Sequence, residues 1–434
     1  MSAAVEAPGA PGTPSDTIEK RHVTQVGWKA AGGLIVVGAL FALLLVTVPR
    51  EGDTRFALSR DADAIQIPVL EIPAMPLAWA CLVIMALVAA FSVVRTQANR
   101  RTPIWVIVVF GVVFLVGFLA WAGAGSSGTL PIVSLLSGSL LAAVPLIYGS
   151  LSGVIGERSG VINIAIEGQM LAAAFTGAIA GSITGSPFAG VLAALLAGVL
   201  VALVLALFTV THRVNQIIVG VVLNVLVLGL TSFFYSQVLV PNAATLNSAP
   251  RFSTWTIPLL NDIPVIGPVL FDQAPLIYLM YLVVAGVWFA LYRTRWGLRL
   301  RAVGEHPKAA DTVGVNVEGT RYRALLIGGA CAGLGGAFYT TVAVGQFGLN
   351  MTAGAGFIAL AAMIFGKWDP LRAAMAGLLF GFALNLQSIL GVVGEVVPSQ
   401  FMLMLPYVVT LFAVAGLVGR SRPPAANGQP YVKG

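Results

Sequence analysis

Long apolar runs alternate with short polar connectors along nearly the whole chain. Residues 27–48, 74–94, 103–123, 130–155, 161–183, 188–210, 217–237, 274–292, 324–344, 371–391 and 400–419 are each close to the length a helix needs to cross a bilayer core, about 20 apolar residues. A twelfth run, 353–366, is shorter and carries Gly354, Gly356 and Gly366. It reads as a half-helix or a re-entrant segment, tolerable in a bilayer only where protein or a cavity covers its backbone. The pattern predicts an all-α polytopic membrane protein of ten to twelve spans. Residues 1–26, rich in Ala, Pro, Ser and Thr, read as a disordered cytoplasmic tail. Residues 27–129 form an N-terminal group of helices, 130–419 the core and 420–434 a second tail.

Charge orients the pattern. With the N-terminus inside and twelve crossings, 20 of the 24 Lys and Arg residues fall on the inner side. Only Arg50, Arg55, Arg60 and Arg251 fall outside. Basic residues accumulate in cytoplasmic loops, so both termini are expected in the cytoplasm, with 353–366 completing a crossing. Composition agrees. The chain is 58% apolar and 9% charged, whereas a soluble domain is about 25% charged. A soluble enzyme is excluded. The net charge of +7 reflects these inner loops and implies no nucleic-acid partner.

Chemistry at membrane depth is sparse. Cys81 and Cys331 lie inside apolar runs and read as small buried side chains. His22, His212 and His306 lie in polar stretches, so no metal site is expected. All eight aspartates fall outside the runs, and of nine glutamates only Glu167 lies well inside one. The Gly366-Lys367 pair is followed by Trp368, so the chain has no G-x-x-x-x-G-K-[ST] phosphate cradle. If ATP powers transport, ATP and magnesium belong to another chain. A competing possibility is an ion-coupled carrier that uses Glu167.

Three segments carry more. In Glu157-Arg158-Ser159-Gly160-Val161-Ile162-Asn163-Ile164-Ala165-Ile166-Glu167-Gly168-Gln169, Asn163 and Glu167 are four apart and are expected to share a helix face. That face reads either as part of a transport pathway or as a hydrogen-bonded lock between helices. In the basic loop 293–323, Gly304-Glu305-His306-Pro307-Lys308-Ala309-Ala310-Asp311-Thr312-Val313-Gly314 reads as a short helix, opened by Pro307 and stopped by Gly314. Ala309 and Ala310 offer a smooth face for a partner. In Asn350-Met351-Thr352-Ala353-Gly354-Ala355-Gly356-Phe357-Ile358, the glycines permit a bend. Just before it, Gly329 and Gly333 have the spacing of close helix packing.

These three segments resemble the permease subunits of ATP-binding-cassette importers, in the simple-sugar and branched-chain amino-acid superfamily, and most nearly the bacterial nucleoside permeases. The resemblance covers roughly residues 130–419. It implies a type II importer-like helical bundle in the bacterial plasma (inner) membrane. It implies a second homologous permease chain as heterodimer partner, a cytoplasmic ATPase and an extracytoplasmic substrate-binding protein. By the same likeness, Glu305, His306, Pro307, Lys308, Ala309, Ala310, Asp311 and Gly314 form the helix that couples to the ATPase. Nucleosides are uncharged, with a stackable base and a hydroxylated sugar. Asn163, Glu167, Gln169, Asn224, Asn385 and Gln387 are candidates for polar pathway contacts, and Phe175, Phe233, Phe234, Phe338 and Phe357 for stacking. Import of a simple sugar is the alternative within the class.

Overall fold

The structure, a computed structural model, describes residues 28–393, apart from 62, 64 and 127, and residues 422–433. The expected span at 400–419 and the expected tail at 1–26 lie outside the described residues. Eight helices among the described residues are long and apolar enough to cross a bilayer. The chain is thus an integral, multi-pass helical membrane protein.

Helices α1 (Lys29–Thr47), α2 (Ala74–Gln97) and α3 (Ile104–Ala122) are apolar on all sides, as lipid-facing helices are. They bury Phe41, Met85, Phe110 and Trp121 against one another. A small sheet closes one end of this group: β1 (Asp53–Ala57) pairs antiparallel with β2 (Leu70–Pro73) and parallel with β3 (Leu130–Pro131). The core begins with α4 (Ile132–Arg158), whose 27 residues span about 40 Å at 1.5 Å per residue. It is followed by α5 (Ile166–Thr184), α6 (Pro187–Ala206) and α7 (Gln216–Phe234). Two short helices, α8 (Ala243–Leu246) and α9 (Ile266–Leu270), and the pair β4 (Trp255–Thr256) and β5 (Asp272–Gln273) lead to α10 (Pro275–Arg293). Then come α11 (Arg295–Glu305), α12 (Pro307–Thr312), α13 (Val317–Phe338), α14 (Ala355–Phe365) and α15 (Pro370–Val393).

Small residues set the close contacts. A Cβ on Gly329 or Gly333 of α13 would collide with α6, at Ala202 and at the Ala194 carbonyl. The Gly329/Gly333 pair therefore packs α13 on α6, as its spacing predicts. The basic stretch 293–323 is not an open loop. Thr294 caps α11 and Asn316 caps α13 through their side chains, and Pro307 opens α12.

Two expected spans are broken. The run 161–183 becomes helical only at Ile166. The run 353–366 supplies an 11-residue helix, about 16 Å long, which cannot cross a core of roughly 30 Å alone. The traverse is completed by residues 344–354: Gly345 lies beside Ala249 and Arg251, near the far end of α5, whereas Trp368 lies beside Arg158.

Candidate functional site

The two broken traverses meet against α4. A Cβ on Gly149 would lie 2.7 Å from Ala359 Cβ, and one on Gly153 would lie 2.7 Å from Met363 Sδ. Helix α14 therefore runs alongside α4 in the same direction, with Ile166 of α5 on the same face. This brings the first turns of α5 and α14 together, roughly 10–20 Å in from the Arg158 end of α4.

Glu167 joins them. Its Oε1 accepts hydrogen bonds from Thr352 Oγ1 (2.6 Å) and the Gly354 amide (2.8 Å), and its Oε2 accepts from the Gly356 amide (2.6 Å). The opening N–H groups of α14 have no partner within their own helix, and a helix N-terminus favours negative charge. A carboxylate on a neighbouring helix meets both needs. Gly356 leaves the room for it, since a Cβ there would lie 2.5 Å from the Glu167 nitrogen. Gly354 adopts φ +85°, which favours glycine.

Side-chain amides supply the bonds lost elsewhere at the breaks. Asn224 accepts from the Gly168 amide (2.8 Å) and donates to the Ile164 carbonyl (2.9 Å). Gln216 Oε1 accepts from the Ile162 amide (2.7 Å). Asn163 and Gln169 exchange bonds of 3.2 Å, and Asn163 also donates to Ser152 Oγ. On the other traverse, Asn247 accepts from the Phe347 amide (2.6 Å) and donates to its carbonyl (3.0 Å). Unsatisfied backbone at membrane depth costs several kcal/mol per group, which explains why amides gather here.

The structure corrects one local expectation. Asn163 and Glu167 do not share a helix face, because Asn163 lies in the non-helical stretch before Ile166. Nothing in the local sequence marks Gln216 or Asn247, and Thr352 is marked only by its place beside the two glycines. Asn385 lies apart, donating to the Leu135 carbonyl (2.8 Å) and to Ser139 Oγ at an α4–α15 contact. Phe357 is half exposed, and Phe233 and Phe234 are exposed. Phe175 packs edge-on against Phe347.

Phe338 borders a cavity of about 650 Å³. Its wall includes Ser137, Phe252, Gln273 and Tyr339, with Arg60 and Asp272 at the sheet end. This volume falls within the roughly 300–1,000 Å³ of small-molecule sites, and the mixed aromatic and polar lining suits an uncharged solute with a flat ring. Arg60 of the N-terminal group reaches Asp272 of the core at 3.2 Å. Tyr339 also belongs to the apolar cluster of Ile166 and Met170. Through Tyr339 the cavity wall adjoins the cluster that holds Ile166, the residue before Glu167.

At the other end of α4, α12 offers a surface different from the expected one. Ala310 is only 4% exposed and packs on Val303, Val317 and Tyr431. Ala310 is therefore no partner-facing residue. The outward face holds His306, Lys308, Ala309, Thr312 and Val313, the last 78% exposed. Pro307 and Asp311 are half-buried, while Glu305 and Gly314 are exposed, Gly314 with φ +83°. Among the described residues, no group of three or more His, Cys, Asp or Glu side chains could hold a metal ion.

Residues 135–414 match the family described as the permease component of branched-chain amino-acid transport systems. The chain is 41% identical to the guanosine transporter permease NupQ of Bacillus subtilis, over 68% of this chain and 95% of NupQ. It is 39% identical to the nucleoside transporter permease NupC of Lactococcus lactis, over 69% and 96%. It is 35% identical to TsgC13 of Haloferax volcanii, named as a glucose transporter permease, over 58% and 77%. No solved structure matches.

Proposed function

This chain belongs to the permease family of branched-chain amino-acid transport systems, and we propose that it is the membrane subunit through which an ATP-binding-cassette importer takes up nucleosides. It is a transporter component, not an enzyme. The observation that carries the substrate is the match to relatives named for guanosine and nucleosides, over 95% and 96% of their own length. The more distant sugar relative makes a simple sugar the weaker reading. The cavity beside Phe252, Phe338 and Tyr339 supports a ring-bearing solute.

The route runs from this cavity to the α12 end of the bundle, past the contact between the first turns of α5 and α14. Opening it requires those two helices to part at Glu167. An extracytoplasmic binding protein delivers solute at the Arg60–Asp272 mouth. A cytoplasmic ATPase, holding ATP and magnesium, docks on the Ala309–Val313 face. A second homologous permease chain completes the pathway as heterodimer partner. Both termini face the cytoplasm of a bacterial cell, a placement supported by the skew of basic residues.

The test is uptake of labelled guanosine and uridine by a null host expressing the whole gene cluster, with and without this chain. Uptake that requires the chain and yields to unlabelled nucleosides, but not to ribose, glucose or leucine, supports the reading. Uptake of labelled glucose in place of nucleosides overturns it.

A further inference from the structure

The described C-terminal segment, 422–433, lies across the end of the bundle where α12 sits. Its contacts follow in order. The Ala425 amide donates to Glu305 Oε2 (3.2 Å) and the Ala426 amide to the Gly304 carbonyl (2.9 Å), both at the end of α11. Asn427 Nδ2 donates to Glu157 Oε2 (2.9 Å) at the end of α4. The Gly428 amide donates to the Gly160 carbonyl (3.2 Å). Gln429 offers its carbonyl to Arg321 Nη1 (3.0 Å). Tyr431 fills the underside of α12 beside Val303, Ala310 and Val317.

These contacts join parts of the molecule with different tasks. Glu157 also accepts Trp368 Nε1 (2.6 Å), and Arg158 Nε donates to the Trp368 carbonyl (2.9 Å), just past the end of α14. Gly428, at φ +79°, packs so closely on Ile162 that a Cβ would lie 2.9 Å from its Cδ1. Ile162 lies in the non-helical approach to Glu167. One short segment therefore touches the underside of α12, the approach to α5 and, through Glu157, the exit of α14. The latter two stretches are those that converge on the carboxylate lock. Arg321, 1% exposed, has Gln429 as a hydrogen-bond acceptor, while its Nε and Nη2 have no partner among the described residues.

We propose that residues 422–433 are a coupling strap, which transmits displacement of α12 to the two half-traverses at Glu167. This rests on the reading of α12 as the ATPase-docking helix. The strap is a positioning element, touching neither nucleotide nor solute in that reading.

The test uses the complete importer with two strap variants, Asn427→Ala with Tyr431→Ala, and a chain ending at Pro424. Both are measured for ATPase co-purification, ATP hydrolysis and nucleoside uptake in proteoliposomes. The strap reading expects co-purification and basal hydrolysis to stay within about twofold, while uptake per ATP falls roughly 5–150-fold, the range of ordinary coupling energies. A synthetic peptide of residues 422–434 added to the truncated complex should restore part of the uptake. Unchanged uptake per ATP in both variants overturns the proposal. So does loss of the ATPase from both, because the segment would then serve assembly alone. Val313→Asp is run in parallel. If it leaves the ATPase bound, the docking reading has failed and the strap falls with it; if it releases the ATPase while the strap variants keep it, the uptake-to-hydrolysis ratio of those variants decides the strap.

Discussion

Glu167 is the one acidic side chain deep in an apolar run, and its surroundings explain how it is held there. A carboxylate at the centre of a bilayer costs about 2.5–3.5 kcal/mol on insertion scales. Three donors and the facing N-terminus of α14 offset this. In Glu167→Gln, one oxygen becomes an NH₂ that cannot accept from a backbone amide. One buried N–H is left without an acceptor, so the purified chain should lose about 1–3 kcal/mol of stability. Thermal unfolding in detergent measures this, with Thr352→Val expected to lose less. An ion-coupling role predicts the opposite pattern: unchanged stability, and uptake that no longer follows the ion gradient. Uptake per ATP in Glu167→Gln should remain independent of sodium and proton gradients.

Helix contacts follow from where a side chain has no room. Gly333→Val would drive a side chain into the Ala194 carbonyl, 2.7 Å from the Cβ position, and separate α13 from α6. Overpacking of this kind costs about 1–3 kcal/mol or more. Fluorescence-detected size-exclusion should show aggregated chain for Gly333→Val. Gly38→Ala and Gly286→Ala, with nothing within 4 Å of the new atom, should elute as wild type. The same rule applies to α12, the proposed docking helix. Ala309→Arg and Val313→Asp should release the ATPase, whereas Ala310→Arg should damage the fold, because Ala310 lies beneath the surface. These elements also mark how far the sequence could be read. Hydrophobic runs disclosed the spans, and Pro307 and Gly314 disclosed α12, because length and capping are local properties. The breaks at Ile166 and Ala355 were half visible, since glycines announce a bend but not which carboxylate will cap it. The roles of Gln216, Asn224 and Asn247 were hidden, because each serves a backbone group far along the chain. Which face of α12 points outward was hidden too. Ala310 packs inward on Val303 and Val317, with Tyr431, more than 100 positions later, beside them.

At the scale of the whole molecule, the first three helices pose the sharpest question. The family match begins at residue 135, and relatives covered over 95% of their own length match only about two thirds of this chain. Helices α1–α3 bury their own apolar cluster, and the core centred on α4, α10 and α13 is separate from it. They meet the core chiefly through the β1–β3 pairing, through Leu135 and Leu386, and through the Arg60–Asp272 ion pair at the cavity mouth. That ion pair is partly exposed, so it contributes at most about 1 kcal/mol to stability. In the proposed pathway its position bears on solute entry more than on folding. The charge skew behind the proposed orientation does not depend on α1–α3 either. Beyond residue 128, fourteen Lys and Arg residues fall on the expected inner side, and only Arg251 on the outer. A chain starting at residue 129 should therefore insert with the same sidedness and retain the ATPase. Its uptake at saturating nucleoside should stay within about threefold of wild type, while KM rises, because the change acts on binding at the mouth. Arg60→Ala in the full chain should reproduce the KM change alone. Sidedness is read by labelling single cysteines placed at Arg251 and Lys308 with an impermeant reagent, and KM by initial uptake rates. A truncated chain that inserts reversed, or whose maximal uptake collapses while Arg60→Ala is silent, would make α1–α3 part of the transport core itself.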